Sequence, residues 1–133
     1  MKNLTVATLL LSSLFVAGAA RADDLTAANA AFDNREYETA FHLYQPLAEQ
    51  GNAAAESVLG SMYYYGRGVP KNAVQAYIWF SLAAEARGGV GDVAKVNRAI
   101  VGRTMNSAQI ALAEDLMRQC LDLKLKQCRN WTI

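Results

Sequence analysis

The stretch from Leu59 to Ala84 constrains the fold most, because two apolar segments of helical period flank a short glycine loop there. The loop reads Gly66-Arg67-Gly68-Val69-Pro70. Neither segment is large enough to bury its own apolar face, so each needs a neighbouring helix to stack on it. We therefore predict one unit of a helical repeat, with positive φ at one or both loop glycines.

A second, partial copy of this pattern lies upstream. The segment Ala40-Phe41-x-x-Tyr44 corresponds to Ala76-Tyr77-x-x-Phe80, an offset of 36 residues (76 − 40). A period of this size is typical of stacked helical hairpins. Because no segment of the chain alternates convincingly as a strand would, the sequence predicts an all-α fold.

Local signals place the helix ends. The predicted helices cover about residues 25–32, 35–50, 53–64, 72–87 and 92–103, with a last helix after Asn106. Capping boxes are predicted at Asp33/Glu36, Asn72/Gln75 and Asn106/Gln109. Gly60 in mid-helix predicts that a neighbouring backbone packs closely there, and the glycine-rich segment 88–91 predicts a flexible turn.

The N-terminus has the pattern of a secretory signal peptide. Lys2 precedes an apolar run over 4–20, and Ala20-Arg21-Ala22 forms a small-x-small cleavage site. A membrane anchor is the alternative, but the run is shorter than a spanning helix usually needs. We predict a signal peptide over residues 1–22, a domain over 23–133, export to the periplasm or beyond, and no membrane span in the mature chain.

The charge of the mature chain is nearly balanced. Without Lys2 and Arg21, the 13 basic residues fall to 11 (13 − 2), against 12 acidic residues. Neither a basic patch nor an acidic tail stands out in the sequence. This balance argues against nucleic acid and anionic membranes as partners.

Residues 33–120 resemble the Sel-one-like repeat, a relative of the tetratricopeptide repeat. The resemblance is specific because the Leu-Gly, Gly-x-Gly-Val-Pro and Trp-Phe motifs occur together, in order and followed by Ala-Ala. The signature positions are Leu59, Gly60, Tyr63, Gly66, Gly68, Val69, Ala76, Phe80, Ala83 and Ala84.

The resemblance implies a short right-handed α-solenoid of antiparallel helix pairs that makes protein–protein contacts and uses no cofactor. In this chain it places a half repeat at about 33–52, a full repeat at about 53–88 and C-terminal capping helices at about 92–124. With about one and a half repeats, the stack is expected to need its closing helix and a crosslink for stability.

Cys120 and Cys128 are the candidates for that crosslink, because export makes the compartment oxidising. On an unbroken helix, eight residues would separate them by about 12 Å, too far for a disulfide. If they pair, the chain must fold back after about Lys124. Two free thiols are the alternative, and the bonded form is our hypothesis.

Three consecutive tyrosines, Tyr63, Tyr64 and Tyr65, cannot all face the core of one helix, because they span about 300° of its surface. Tyr63 matches the packing position of the repeat. Tyr64, Tyr65 and Trp79 are therefore candidates for a partner surface, since exposed aromatic side chains are favoured at interfaces. An equally good interpretation is that the tyrosines only shield the loop.

No catalytic or metal constellation is evident in the sequence. His42 is the only histidine, and no Ser-x-x-Lys or Gly-x-Ser-x-Gly motif occurs. We predict a non-catalytic adaptor for an unidentified protein partner, with no catalytic, metal or cofactor residues. A secreted hydrolase (β-lactamase-like or envelope-directed) and a structural envelope component stay open, as does a homo-oligomer.

Overall fold

A computed structural model describes the backbone of residues 20–122 and the side chains of residues 23–120. Within that range the chain is helical and contains no strand. The helices are α1 (Ala20–Asp33), α2 (Tyr37–Glu49), α3 (Ala53–Tyr65), α4 (Ala73–Ala83), α5 (Gly89–Gly102) and α6 (Ser107–Asp122). Only the last three residues of the predicted signal peptide fall in the described range, and they begin α1.

The capping box predicted at Asp33 and Glu36 is wrong. Asp33 is the last residue of α1, and the side chain of Glu36 makes no capping hydrogen bond to α2. Instead, Arg35 adopts a left-handed φ of 65°, and the Glu36 N–H donates to the Ala31 carbonyl at 2.9 Å. Asp33, Asn34 and Arg35 therefore end α1 in a Schellman arrangement, with arginine at the position that glycine usually takes. Glu36 is the N-cap of α2 through its backbone alone, since its carbonyl accepts from the Ala40 N–H at 2.8 Å.

Of the other two predicted capping boxes, the one at Asn106/Gln109 is complete, whereas the Asn72 N–H donates to the Tyr63 carbonyl and only the side-chain bond of Asn72 matches the prediction. The Asn72 side chain accepts from the Gln75 N–H at 3.0 Å. At the start of α6, Asn106 accepts from the Gln109 N–H at 2.9 Å, and Gln109 in turn accepts from the Asn106 N–H at 3.0 Å. Since each bond satisfies a backbone donor that the first helical turn leaves unpaired, these starts are fixed locally.

The flexible turn predicted over residues 88–91 is also wrong. Helix α5 already begins at Gly89, and of these residues only Gly88 has a positive φ, 84°. Gly91 is buried, and a Cβ there would collide with the Ala86 carbonyl. Gly91 thus allows α5 to pass close to the end of α4, whereas Gly88 provides the left-handed turn before the helix.

The α3–α4 hairpin is the centre of the fold. Gly60 of α3 faces the ring of Phe80 on α4, and a Cβ on Gly60 would lie 2.9 Å from two ring carbons. The close approach predicted at Gly60 is therefore present, but a side-chain ring and not a backbone occupies the space. Leu59, Met62 and Ile78 are buried in the same core.

The other helices pack around this hairpin. Helix α2 packs on α3, α1 packs on α2, and α5 packs on α4 with a smaller contact to α3. Helix α6 lies against α4, so it closes the core beside the central hairpin. This arrangement confirms the predicted all-α helical repeat fold with a closing C-terminal helix.

The α3–α4 loop is fixed by its two glycines. Gly66 and Gly68 have φ angles of 68° and 72°, which confirms the predicted positive values. A Cβ on Gly68 would also collide with the Tyr37 carbonyl and lie 2.8 Å from the Glu38 nitrogen. The loop therefore contacts the first turn of α2 directly.

We expect Gly68→Ala to lower the free energy of unfolding by roughly 3 kcal/mol or more, because it adds both left-handed strain and a collision with the α2 backbone. Gly51→Ala is the matched control, since Gly51 has a φ of 82° and nothing within 4 Å of its Cβ position. The control should lose only about 1–2 kcal/mol. Urea denaturation followed by circular dichroism measures both values, and equal losses would contradict the close contact.

Candidate protein-binding surface

Arg67, at the tip of the α3–α4 loop, lies among three aromatic rings. Its guanidinium carbon is 5.1 Å from the ring centroid of Tyr65, 5.6 Å from that of Tyr37 and 5.9 Å from that of Phe32. The rings of Phe32 and Tyr37 also meet edge to face, with centroids 5.3 Å apart. The cation thus links the end of α3 to the α1–α2 corner through cation–π contacts.

The three consecutive tyrosines have three different environments. Tyr63 is half-buried, and its ring packs edge to face on Phe41 with centroids 5.7 Å apart. Tyr64 is half-buried beneath the ammonium of Lys71, which lies 5.7 Å from its ring centroid. Tyr65 is 63% exposed. Of the three, only Tyr65 presents most of its ring to solvent.

Trp79 does not belong to an exposed surface. Its side chain is only 6% exposed and lies within the main core cluster. The prediction that Trp79 contributes to a partner surface is therefore corrected. Nearly all of α4 is buried, because helices α3, α5 and α6 all pack against it.

A small pocket lies beside Tyr65, where α3 and α5 meet over α4. Its volume is about 90 Å³. The lining residues are Ser61, Tyr64 and Tyr65 from α3, Phe80 from α4, and Asn97, Ile100 and Val101 from α5. The lining therefore combines aromatic and aliphatic side chains with three hydroxyl-bearing residues, Ser61, Tyr64 and Tyr65, and one amide, Asn97.

Helix α5 presents an apolar stripe that the sequence analysis missed. Four aliphatic side chains on it are at least 43% exposed: Val90, Val93, Val96 and Ile100. The buried contacts of α5 are made by a different set, Gly91, Ala94 and Val101. The available signal was that this helix has more apolar positions than one buried face requires. We refer to Tyr65, Val90, Val93, Val96 and Ile100 together as the α3–α5 surface.

The repeat-signature residues fall into a buried group and a loop group. Leu59, Gly60, Ala76, Phe80, Ala83 and Ala84 are buried between helices. Tyr63 and Val69 are half-buried against the core. Gly66 is exposed and Gly68 is half-buried in the loop. The signature therefore builds the hairpin and its loop, while all five residues of the α3–α5 surface lie outside it.

The remaining candidates lie apart from this surface. His42 is exposed on α2, next to the ring of Phe41. Cys120 is fully buried in the core, whereas Cys128 lies outside the described residues, so their pairing stays a prediction. Within the described residues, no group of three His, Cys, Asp or Glu side chains could hold a metal ion. No helix in that range combines the length and the apolar character needed to cross a membrane.

Glu56, in the first turn of α3, is a buried carboxyl group. Its residue is 4% exposed, and burial raises the pKa of the carboxyl group from 4.5 to about 7. Burial likewise raises the pKa of the Tyr44 and Tyr63 hydroxyls, so both stay neutral at ordinary pH. The Tyr44 hydroxyl donates a hydrogen bond to Asn29 Oδ1 at 2.6 Å, which ties α2 to α1.

Comparisons with known proteins agree with this geometry. The family model of the Sel1 repeat matches residues 34–52 and 53–87. Residues 34–87 are Sel1-like repeats. Among solved structures, it is similar to a protective antigen of uropathogenic Escherichia coli strains that displays an SLR fold, with 28% sequence identity and a TM-score of 0.72. No curated protein matches the chain.

The similarity covers 82% of this chain and 24% of the antigen chain. The present protein thus spans about a quarter of the length of that Sel1-like relative. The repeats support a protein-interaction module, as is general for helical repeats that stack into extended surfaces.

We expect Glu56→Gln to stabilise the protein at pH 8 by up to roughly 3 kcal/mol and to change it little at pH 4. Because the folded-state pKa is raised, the wild-type protein loses stability as the pH rises from about 4.5 through about 7. Glutamine removes that loss. Urea denaturation across this pH range measures the effect.

Glu38→Gln is the control for this measurement, because Glu38 is exposed on α2. Its substitution should change the free energy of unfolding by only about 0.5 kcal/mol, because the side chain is exposed. A Glu56→Gln effect that is as small at pH 8 would contradict the raised pKa of Glu56.

Proposed function

We propose that this Sel1-like repeat protein is an exported, non-catalytic adaptor that binds a protein partner through the α3–α5 surface. The observation that carries the proposal is the exposed apolar stripe of α5, which continues through Ile100 and the adjacent pocket to Tyr65. Exposed apolar side chains that lie together mark interaction sites more often than isolated ones do.

The placement of aromatic and aliphatic side chains supports a protein ligand. Tyr65 combines a large apolar area with a hydroxyl group, and its edge-to-face contact with Tyr64, at 5.0 Å between centroids, restrains the ring. A restrained aromatic side chain loses little conformational entropy on binding, which is why tyrosine is favoured at interfaces. The α5 stripe offers further apolar area next to it.

Export is supported by the N-terminal sequence. A positive start, an apolar run and a small-x-small site precede the repeat domain. We therefore place the adaptor in the periplasm or outside the cell. The oxidising character of those compartments also supports a disulfide between Cys120 and Cys128, with Cys120 held in the core.

The partner is testable by crosslinking in the native cell followed by mass spectrometry. We expect wild-type protein to capture a specific partner and Tyr65→Ala to lose most of that capture. Truncating a hot-spot aromatic costs about 2 kcal/mol or more, which is about a thirtyfold change in affinity. Leu112→Ala on α6 is the matched control, since Leu112 is also exposed but lies outside the surface. Equal capture by all three proteins would reject this surface.

The same purified protein separates the adaptor from the hydrolase alternative. We expect no turnover of the chromogenic β-lactam nitrocefin or of a peptidoglycan fragment. Hydrolysis that rises in proportion to the protein concentration, and that disappears on denaturation, would support the enzyme instead.

The proposed disulfide has its own test. Reduction of the exported protein should raise the intact mass by about 2 Da, the two hydrogen atoms gained when a disulfide becomes two thiols. Cys120→Ser is the control, because it cannot form the intramolecular bond and should show no change. An unchanged wild-type mass would reject the bond.

A further inference from the structure

We infer that the pocket between α3 and α5, together with Arg67 and Lys71, binds a short acidic segment of the partner protein. One apolar side chain of the segment enters the pocket, and neighbouring carboxylates contact the two cations. This inference rests on the proposed adaptor function and gives the chemical class of the ligand.

The pocket accommodates a single apolar side chain. Its volume of about 90 Å³ is smaller than the apolar cavity of about 150 Å³ that holds a benzene molecule. An aliphatic side chain of leucine size therefore suits it. The floor, formed by Phe80 and Val101, belongs to the buried core, so the pocket is supported by rigid packing. Asn97 at the edge can donate to and accept from a bound peptide backbone.

Two cations stand next to this pocket, each over an aromatic ring that helps to line it. Arg67 lies over Tyr65 and Lys71 lies over Tyr64. Both residues are exposed, and the ion pairs of the described residues are elsewhere, on α5 and α6. The rings restrain the cations without neutralising them. A carboxylate from a ligand can therefore form charge-assisted hydrogen bonds to either cation.

The charge of the surrounding elements also favours an acidic ligand. The segments 59–72 and 89–103, which build the pocket and its margins, contain five basic residues and one acidic residue. Residues 23–50, by contrast, contain six acidic residues and one basic residue, not counting His42. The near-neutral chain is thus divided into an acidic N-terminal hairpin and a basic α3–α5 side. Complementary charge on a partner steers its approach to the basic side.

A second copy of the chain is a weaker candidate for the occupant. Its acidic α1–α2 hairpin would supply carboxylates, but the exposed large apolar side chains of the described residues lie on α3, α5 and α6. The hairpin therefore has no exposed large apolar side chain to enter the pocket. An acidic segment with its own apolar side chain fits both features at once.

Fluorescence polarisation with labelled peptide pools tests the inference on the full mature protein. The pools carry a central leucine or alanine, flanked on both sides by glutamates, glutamines or lysines. We expect saturable binding of the glutamate–leucine pool with a Kd at least tenfold lower than that of the glutamine–leucine pool. The lysine–leucine pool should not bind, and the glutamate–alanine pool should bind more weakly than the glutamate–leucine pool.

Variants then assign the contacts. We expect the double variant Arg67→Gln with Lys71→Gln to raise the Kd of the glutamate–leucine pool about tenfold or more and to leave the glutamine–leucine pool unchanged. Lys71→Gln alone, which leaves the Arg67 ring contacts in place, should give a smaller rise in Kd. Ile100→Ala should weaken the leucine pools and not the alanine pools. Arg118→Gln, on the exposed face of α6, is the control and should bind as wild type does.

Several results would overturn the inference. Equal affinity for the glutamate and glutamine pools would show that the charge of the ligand does not contribute to binding. Unchanged binding by the double variant would show that Arg67 and Lys71 do not contact the ligand. Self-association that Lys71→Gln abolishes, measured by sedimentation, would make a second copy the occupant. In a further outcome, the double variant loses binding to the glutamate–leucine pool and still captures a partner in the cell. That result would leave the adaptor function in place and reject an acidic segment as the part of the partner that binds here.

Discussion

The contact between the Phe80 ring and the bare backbone of Gly60 sets the spacing of the whole fold. With no side chain on Gly60, α3 and α4 approach closely enough for the ring to lie against the α3 backbone. Helix α2 then packs on the outer side of α3, while α5 and α6 pack on α4. Because a repeat unit of this kind is stable only when its neighbours stack on it, every other helix position depends on this central hairpin.

The α3–α4 loop of that hairpin is held by close backbone packing and positions charged side chains at the surface. Gly68 lies against the backbone of the first α2 turn, and this contact places Arg67 among rings from three helices. The same loop brings Lys71 over Tyr64. One short loop therefore contains both the glycines that its backbone angles require and the two cations, Arg67 and Lys71, that can contact a ligand. The positions of these two cations in the candidate binding site therefore follow from the conformation of the α3–α4 loop.

The buried carboxyl group of Glu56 is destabilised in its charged form. Glu56 sits near the start of α3, where the helix dipole favours a negative charge, yet burial still raises the pKa of its carboxyl group to about 7. Desolvation is thus the larger effect at this position. The cations of the α3–α5 side, by contrast, stay exposed over aromatic rings and remain available to a ligand.

The sequence was enough to predict the fold class, the repeat and most helix ends. The 36-residue offset and the glycine loop identify stacked hairpins, and capping residues such as Asn72 and Asn106 act through bonds three residues away. Such signals are local, so they can be read without the fold. The sequence led to a wrong prediction where the same polar residues are compatible with either the end of one helix or the start of the next. Asp33 and Glu36 together suit a capping box, but the left-handed turn at Arg35 separates them, so that Asp33 ends α1 and Glu36 is the N-cap of α2 through its backbone alone.

Only the tertiary structure decided which apolar side chains are exposed. Trp79 and Tyr65 are both large aromatics in the repeat, yet α4 is covered by three helices and Trp79 is buried, while Tyr65 stays exposed at the end of α3. The valines of α5 likewise have the spacing of a core face and are left uncovered. Burial depends on what packs against a side chain. The sequence alone therefore determined the helices and their repeat, and the packing between helices determined the surface that a partner can reach.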